Sequence, residues 1–554
     1  MLSRNRICLC VLLCALAALA GCGGVSSNQP VPPPGGSFSN SSLNGSYVFS
    51  FSGYDTGFAN GSFFAVTGVL SANGSGALTS GSIDIVDPSL GAAFLTSNAL
   101  VRVPVSGNYN ITADGRGSGA LNFTVNGSSV QFGLDFVLSS GAHGLITRFD
   151  TSGSGSGSID LQATGLTQSS LSGSWTFGLN GVDAGTVNPL SSVGSLTLDG
   201  NGNVTTGIED LNDDGNASGL QSVALSGSVG AGTPGTARIT TSVSGFTTTT
   251  LDLWPIDATH FKLIETDAQG YLAGDAFTST GSTAFPAGPL VLTLSGEDTQ
   301  QSSFAAGGLL TSDGASTISG GLEDVNDEGY VGQAPAVSGS FTANGPRTVL
   351  TFNGIYNGFF PNFSLGAGNY TFAAYPFSGG VLLLEIDNGA GSTFGISSGT
   401  FYVQSATSLT SSQGYGLNLS GANGNGEVDT IAQFTATGTT MTGLYDANNS
   451  GLLVSDAGLG TGTWSVASNG RGTASFPSLQ TTGTSMIGSL NLTFYVVDSS
   501  TVVFLETDTN QLANGAFLLQ NPDSASPAAR PRVALMRPSI PISRTAAFHA
   551  QPAR

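Results

Sequence analysis

From residue 42 to residue 521 the chain alternates apolar and polar residues with a period of two. Tyr47, Phe49 and Phe51 are separated by small or polar residues, and the same spacing recurs from Trp175 onwards. Residues that alternate in this way lie on opposite faces of a strand, one face buried and the other exposed. Asn-Gly and Asp-Gly pairs separate the segments and supply the positive φ angles of tight hairpins. The pattern predicts an all-β protein of antiparallel strands joined by short hairpins.

One strand segment recurs four times and ends each time in a glycine, at Gly53, Gly181, Gly296 and Gly421. Each copy continues with an acidic glycine turn, a polar hairpin and two long apolar strands. The repeat is too long for a solenoid or a propeller blade, and each copy is long enough to bury its own core. The sequence therefore predicts four tandem β domains, with boundaries at 42–163, 165–284, 286–404 and 405–521.

Each copy contains about eight predicted strands, and up-and-down barrels are favoured because closure removes exposed sheet edges. The unit resembles the calycin group, the lipocalin- and avidin-like barrels, whose opening Gly-x-Trp is similar to residues 173–175. The Trp position holds other residues in the remaining copies: Tyr47, Leu290 and Tyr415. The alternative is a series of immunoglobulin-like sandwiches, whose Cys–Trp–Cys pattern is not present.

The N-terminus has the pattern of an export signal, with Arg4 and Arg6 before an apolar run over residues 7–20. The following Leu19-Ala20-Gly21-Cys22 resembles the lipobox of bacterial lipoproteins. That resemblance implies a signal peptide over 1–21, cleavage before Cys22 and lipidation of its thiol. Residues 22–41 are predicted to be a flexible spacer rich in Pro, Gly and Ser. The residue after Cys22 is glycine, which favours the outer membrane or the cell surface.

All four cysteines lie within the first 22 residues. The mature chain would keep one of them, which excludes a disulfide framework, thiol catalysis and cysteine-based zinc sites.

The folded part of the chain is strongly acidic, with seven basic residues against 34 acidic ones between residues 22 and 521. Phosphate backbones would repel such a surface, which excludes nucleic-acid partners. Residues 522–554 differ, because they hold five arginines and many prolines. This tail is predicted to be a basic, disordered extension.

The acidic turns are the best candidates for a metal site. Asp210, Asn212 and Asp214 have the spacing of the first half of an EF-hand calcium loop, and the third copy repeats it with Asp324, Asn326 and Glu328. Oxygens at alternate positions can surround a hard cation, so calcium is the one cofactor that the sequence suggests. The alternative is a hairpin turn in which Asp and Asn bond to their own backbone and Gly takes a positive φ.

Other candidate chemistry is weaker. Glu and Asp recur two residues apart at the ends of long strands, at Glu265/Asp267, Glu385/Asp387 and Glu506/Asp508. A carboxylate pair could hydrolyse a glycoside, but its repetition predicts solvated strand ends instead. His143 and His260 occupy the same position in their repeats, so few histidines are available to form a catalytic triad. We therefore predict that the protein is not an enzyme.

Together these features predict a lipid-anchored protein of the bacterial cell envelope, attached to the membrane through Cys22. Repeated modules with few charges suit binding or adhesion to glycan, matrix or partner surfaces, because linked weak sites gain avidity. Three alternatives remain open: a barrel-type carrier of small apolar ligands, an extracellular polysaccharide hydrolase, and a structural surface spacer.

Overall fold

A computed structural model describes residues 30–56, 62–87, 99–185, 188–214, 216–218, 220–229, 237–241, 249–267, 270–279, 284–298, 302–359, 365–387, 395–477 and 489–522. Within these ranges the chain is built from antiparallel strands, and its helical content is two short 3-10 turns, Asn40–Ser42 and Gln168–Leu171. No helix in the described part of the chain has the length and apolar character needed to cross a membrane.

The first and fourth sheets each contain nine strands and close on themselves. In the first, the third strand in chain order pairs with the second strand on one side and with the fourth and fifth on the other; the third strand of the fourth sheet pairs in the same way. The strands of barrel 1 are β1 (Asn44–Asp55), β2 (Ser62–Asn73), β3 (Ala77–Val86), β4 (Ala99–Pro104), β5 (Ser106–Ile111), β6 (Arg116–Val125), β7 (Ser128–Ser140), β8 (His143–Asp150) and β9 (Gly153–Leu161). Those of barrel 4 are β26 (Gln413–Asn423), β27 (Gly426–Thr437), β28 (Thr440–Asn449), β29 (Leu452–Gly458), β30 (Gly462–Val466), β31 (Arg471–Phe476), β32 (Leu490–Val496), β33 (Thr501–Glu506) and β34 (Gln511–Leu519).

The second and third sheets each contain eight strands in meander order. The third is a closed barrel, whereas the described part of the second is open between its fifth and sixth strands in chain order. The strands of barrel 2 are β10 (Gly173–Asp183), β11 (Pro189–Leu198), β12 (Asn203–Asp213), β13 (Val223–Val229), β14 (Ala237–Thr241), β15 (Leu251–Asp257), β16 (His260–Glu265) and β17 (Gly270–Thr278). Those of barrel 3 are β18 (Ala287–Glu297), β19 (Ser303–Asp313), β20 (Thr317–Asp327), β21 (Tyr330–Asn344), β22 (Arg347–Phe359), β23 (Leu365–Phe377), β24 (Gly380–Glu385) and β25 (Ile396–Val403).

The prediction of up-and-down barrels over immunoglobulin-like sandwiches is thus confirmed. Inward-facing residues of alternating strands fill each barrel with its own core, and Phe51, Trp175, Phe352 and Phe517 lie in the four cores. These residues are almost completely buried. The barrels are therefore packed bodies, as expected for about eight strands, where the interior is just wide enough for side chains to fill it.

The outer faces of the strands carry a second set of apolar residues, which join the barrels to one another. Val48 and Trp254 belong to a cluster between barrels 1 and 2, and Phe277 and Tyr375 to one between barrels 2 and 3. Ala305 and Leu512 join barrels 3 and 4. A further cluster brings Val137 of barrel 1 together with Tyr495 and other residues of barrels 3 and 4. Barrel 4 therefore returns to barrel 1, and the four barrels form a closed ring.

Candidate functional site

The predicted calcium residues lie at the junctions of this ring. Asp210 of barrel 2 accepts hydrogen bonds from Arg347 of barrel 3, with Nη2 2.7 Å from Oδ1 and Nε 2.8 Å from Oδ2, and from the hydroxyl of Tyr375. Asp324 of barrel 3 is bound in the same way by Arg471 and Tyr495 of barrel 4. Each of the two aspartate–arginine pairs is joined by two charge-assisted hydrogen bonds, which are stronger than hydrogen bonds between neutral groups.

The asparagine two residues later points to the same neighbour, because residues i and i+2 share one face of a strand. Asn212 Nδ2 donates to the carbonyl oxygen of Glu385 at 2.9 Å. Asn326 Nδ2 donates to the carbonyl oxygens of Glu506 at 3.0 Å and Gln511 at 2.9 Å. The motif thus joins each barrel to the end of a strand in the next one.

The junction between barrels 4 and 1 repeats this arrangement and closes the ring. Asp446 Oδ2 lies 2.6 Å from Nη1 of Arg116, and Asn448 Nδ2 donates to the carbonyl oxygen of Gly153 at 2.7 Å. The glutamine that ends barrel 4, Gln520, donates to the carbonyl oxygen of Leu138 at 3.0 Å. Between barrels 1 and 2 the aspartate is Asp84, which accepts from Trp254 Nε1 at 2.8 Å.

The third residue of each predicted calcium loop lies in a hairpin turn instead of facing the neighbouring barrel. Asp214 and Glu328 have positive φ angles of 48° and 44°, and Gly329 follows with 92°. Two successive positive φ angles define the type I′ turn that joins β20 and β21. No group of three His, Cys, Asp or Glu residues in the described part of the chain could hold a metal ion. Calcium at these loops stays a prediction, and a calcium ion there would have to displace Arg347 or Arg471.

The glutamates of the Glu/Asp pairs at strand ends are less exposed than the sequence predicted. Glu265, Glu385 and Glu506 are 2%, 3% and 0% exposed, so the prediction of solvated strand ends is wrong for them. The strand alternation turns them inwards, in line with core residues such as Leu383. Burial raises the pKa of Glu385 to about 8, with Asp387 and Asp298 adding to the rise, and it raises that of Glu506 well above the ordinary value.

The two histidines lie with the chain's single lysine between barrels 1 and 2. His143 Nδ1 is 2.8 Å from Asp160 Oδ1, and His260 Nε2 is 2.7 Å from Asp275 Oδ1. Lys262 is 2% exposed, and its Nζ lies 3.2 Å from the same oxygen of Asp275. Burial would raise the pKa of Asp160, but the neighbouring His143 and Lys262 outweigh it and lower that pKa. Lys262 Nζ also donates to Ser158 Oγ of barrel 1 at 2.9 Å, so this buried cluster joins the two barrels.

A polar cleft of about 410 Å³ opens between barrels 1 and 4, above the junction of Arg116 with Asp446. Its floor is the outer face of β5, β6 and β7, where Asn110, Ser118 and Asp135 lie side by side in register. The other residues that line it are small, polar or aromatic: Asn108, Thr112, Gly117, Gly119, Ala120, Leu134, Phe149, Ser455 and Asp456. This cleft is the candidate binding site.

Asp135 is the one member of the polar row that is almost completely buried, at 6% exposure. Burial raises the pKa of Asp135 to about 9, the charge of Asp446 adds to the rise, and Arg116 opposes it. The carboxyl is therefore protonated at neutral pH and can both donate and accept a hydrogen bond. Arg116 pairs with three aspartates, Asp114, Asp446 and Asp456, so this cluster of charges is acidic on balance. This site could not be predicted from the sequence, because its residues come from repeats 1 and 4.

Two predicted features lie outside the described residues. Cys22 belongs to residues 1–29, and the basic tail lies almost entirely within residues 523–554. Lipidation of Cys22 stays a prediction from the lipobox.

No family model matches the sequence, and no curated protein matches it. Among solved structures, the chain is similar to a mutant of the vaccine antigen transferrin binding protein B from Haemophilus parasuis, with 9% identity over 68% of this chain and 78% of that chain and a TM-score of 0.21. It is also similar to intact Ap-TbpB with its N and C lobes, with 10% identity over the same shares and a TM-score of 0.19. At these scores the likeness carries no argument about function.

Proposed function

We propose that the protein is anchored to the bacterial cell envelope through a lipid on Cys22 and that its ring of barrels binds a glycan at the cell surface. The lipobox-like segment and the spacer after it support the anchor and the location. The acidic composition excludes nucleic acids as partners. The ring supports a binding role because it holds the surfaces of four modules in one fixed arrangement.

The observation that carries the choice of ligand is the row formed by Asn110, Ser118 and Asp135 in the cleft between barrels 1 and 4. Amide, hydroxyl and protonated carboxyl groups match the hydroxyl groups of a sugar, since each side can donate and accept. Because the cleft is lined by such groups and its cluster of charges is acidic, it suits an uncharged polyhydroxyl ligand better than an anionic one. Phe149 supplies an aromatic surface at the edge of the same cleft.

We expect the full mature chain to bind a neutral glycan on a glycan array, and we expect Asp135→Ala to weaken that binding by roughly tenfold or more, the effect of losing one or two buried hydrogen bonds. Asp135→Asn should retain binding, because an amide reproduces the hydrogen bonds of a protonated carboxyl. Affinities of the three proteins for the glycan found on the array can be measured by titration calorimetry.

The matched control is Thr493→Ala, which changes the equivalent strand position of barrel 4 at the junction with barrel 3. It should leave glycan binding unchanged. Absence of binding to every glycan by the folded wild-type chain would contradict the proposal. Equal binding by wild-type protein and Asp135→Ala would show that the glycan binds outside this cleft.

The alternatives receive less support from the described residues. A carrier of apolar ligands needs a large interior space, whereas the four barrels are filled by their own cores. A hydrolase needs carboxylates that a polysaccharide can reach, whereas Glu265, Glu385 and Glu506 face the barrel interiors.

A further inference from the structure

Barrel 1 contains a buried cation at one end of its interior. The guanidinium group of Arg148 lies between the rings of Phe64 and Phe132, with Cζ 4.7 Å and 4.5 Å from their centres. Its Nε lies 3.0 Å from Asp150 Oδ2, and its Nη1 also donates to Asp55. Aromatic faces and carboxylates together stabilise a desolvated cation.

Barrel 3 has the same surroundings without the arginine. Glu385 replaces Arg148 at the position two residues before the final Asp of the strand pair. Phe304 pairs with Gly296 as Phe64 pairs with Gly53. The second ring is Tyr370, which lies two residues before Phe372, the strand partner of Glu385. In barrel 1, Phe132 likewise lies two residues before Leu134, the strand partner of Arg148. Asp298, two residues after Gly296, takes the place of Asp55, two residues after Gly53.

The other two barrels lack the aromatic pair. The two ring positions hold Leu190 and Thr249 in barrel 2, and Val428 and Leu490 in barrel 4. An aromatic pair at these two positions is therefore a feature of barrels 1 and 3, and barrel 1 supplies its own cation.

A cavity of about 20 Å³ lies at this place in barrel 3. It is lined by acidic, aromatic and aliphatic residues: Leu294, Glu297, Asp298, Phe304, Ile355, Tyr370, Phe372, Glu385, Gly395 and Ser397. Ser397 donates to Glu385 Oε2 at 2.6 Å, while the buried Oε1 of Glu385 has no hydrogen-bond partner within the described residues. The volume suits one group of the size of water, such as an ammonium group.

We propose that the interior of barrel 3 binds the ammonium head group of a small organic cation between Glu385 and the rings of Phe304 and Tyr370. The rings and the aliphatic walls favour an organic cation over a metal ion, because two aromatic rings line the cavity and no three carboxylates of the described residues are grouped so that they could hold a metal ion. The binding is independent of the glycan cleft, which lies between other barrels.

Binding should release a proton. The groups around Glu385 are acidic, with no basic residue lining the cavity in the described part of the chain: Glu297, Asp298, Tyr370 and Asp387. Burial holds the pKa of Glu385 at about 8, so the carboxyl must lose its proton to pair with an ammonium group. Affinity should therefore fall by about tenfold for each pH unit below 8.

The test is a calorimetric titration of the full mature chain with methylammonium at pH 8 and pH 6. We expect saturable binding at pH 8 and much weaker binding at pH 6. The proton released on binding passes to the buffer, so the measured heat should depend on the ionisation enthalpy of the buffer. Glu385→Gln should weaken binding by at least about tenfold, since it removes the charge and keeps the shape. Because Gln resembles the protonated acid and does not ionise in the unfolded chain, this variant should melt at or above the wild-type temperature at pH 6.

The matched control is Glu506→Gln, which makes the same change in barrel 4, where the aromatic pair is missing; it should bind methylammonium like wild type. Three results would overturn the proposal: no binding of methylammonium at pH 8, equal binding by Glu385→Gln, or tighter binding of calcium than of methylammonium. Neutral N-methylacetamide should not bind, and binding of it with similar affinity would also refute a cation site.

Discussion

Raising the pH from 5 to 9 should lower the melting temperature of the protein by roughly 10 °C, a shift of the size expected when several buried groups are forced to ionise. Burial raises the pKa of Glu209 to about 7, of Glu385 to about 8 and of Asp135 to about 9. In the unfolded chain these groups lose their protons near pH 4, whereas the folded protein retains them. Each group therefore removes about 1.4 kcal/mol of stability per pH unit between its unfolded and folded pKa values.

Two aspartates act in the opposite direction at lower pH. Their partners lower the pKa values of Asp160 and Asp275 despite burial. The stability that they contribute is present above their unfolded pKa and is lost as the pH falls through the folded one. The stability maximum should therefore lie near pH 4 to 5, where the buried glutamates are protonated and these aspartates are still charged.

Scanning calorimetry at a series of pH values checks this prediction. A variant with Glu209→Gln, Glu385→Gln and Glu506→Gln should show a much smaller fall of the melting temperature with pH, because three of the raised groups are gone. A melting temperature that rises steadily between pH 5 and pH 8 would contradict the burial of these carboxyls.

Replacing Arg347 by Met should destabilise the protein by about 3–5 kcal/mol, the usual effect of removing one partner of a buried ion pair. Arg347 and Asp210 are 8% and 0% exposed, so the change leaves the carboxylate of Asp210 buried without its cation. The double variant Arg347→Met, Asp210→Asn should recover most of the lost stability, because it removes both charges.

Urea denaturation followed by tryptophan fluorescence measures the effect, since Trp175 and Trp254 are buried in and beside barrel 2. The matched control is Arg471→Met at the junction of barrels 3 and 4. Arg471 is 26% exposed, so water can partly solvate the remaining aspartate and the loss should be smaller. Equal midpoints for wild type and Arg347→Met would show that the junction is not formed in solution.

The four-barrel architecture could be predicted from the sequence because each barrel is specified locally. Alternation such as that of Tyr47, Phe49 and Phe51 fixes the inward face, and glycine turns fix the hairpins. The ring could not be predicted, because alternation within one repeat does not show what covers its outer face. A signal was present in strands that are apolar on both faces, such as Thr501–Glu506, since continuous apolar runs indicate burial on both sides.

The roles of the acidic residues were harder to predict for a related reason. The Asp-x-Asn spacing of a calcium loop also places both side chains on one strand face, where they contact the next barrel. Five of the seven basic residues in the acidic body pair with aspartates across barrel junctions: Arg102, Arg116, Lys262, Arg347 and Arg471. The scarcity of basic residues was therefore the informative feature. Glu385 lies inside a barrel because strand alternation continues to the strand end.

The closure of the ring is tested most directly by a disulfide between barrels 1 and 4. A Cβ atom placed on Gly416 would lie 3.6 Å from Cβ of Val137, within the range of natural disulfides. With Cys22 changed to Ser, the mature chain has no other cysteine. We predict that Gly416→Cys with Val137→Cys forms a disulfide under mild oxidation, seen as loss of both thiols and of two mass units. The control pair Gly416→Cys with Val193→Cys, on barrels 4 and 2, should stay reduced. Two free thiols in the folded first pair would contradict a closed ring.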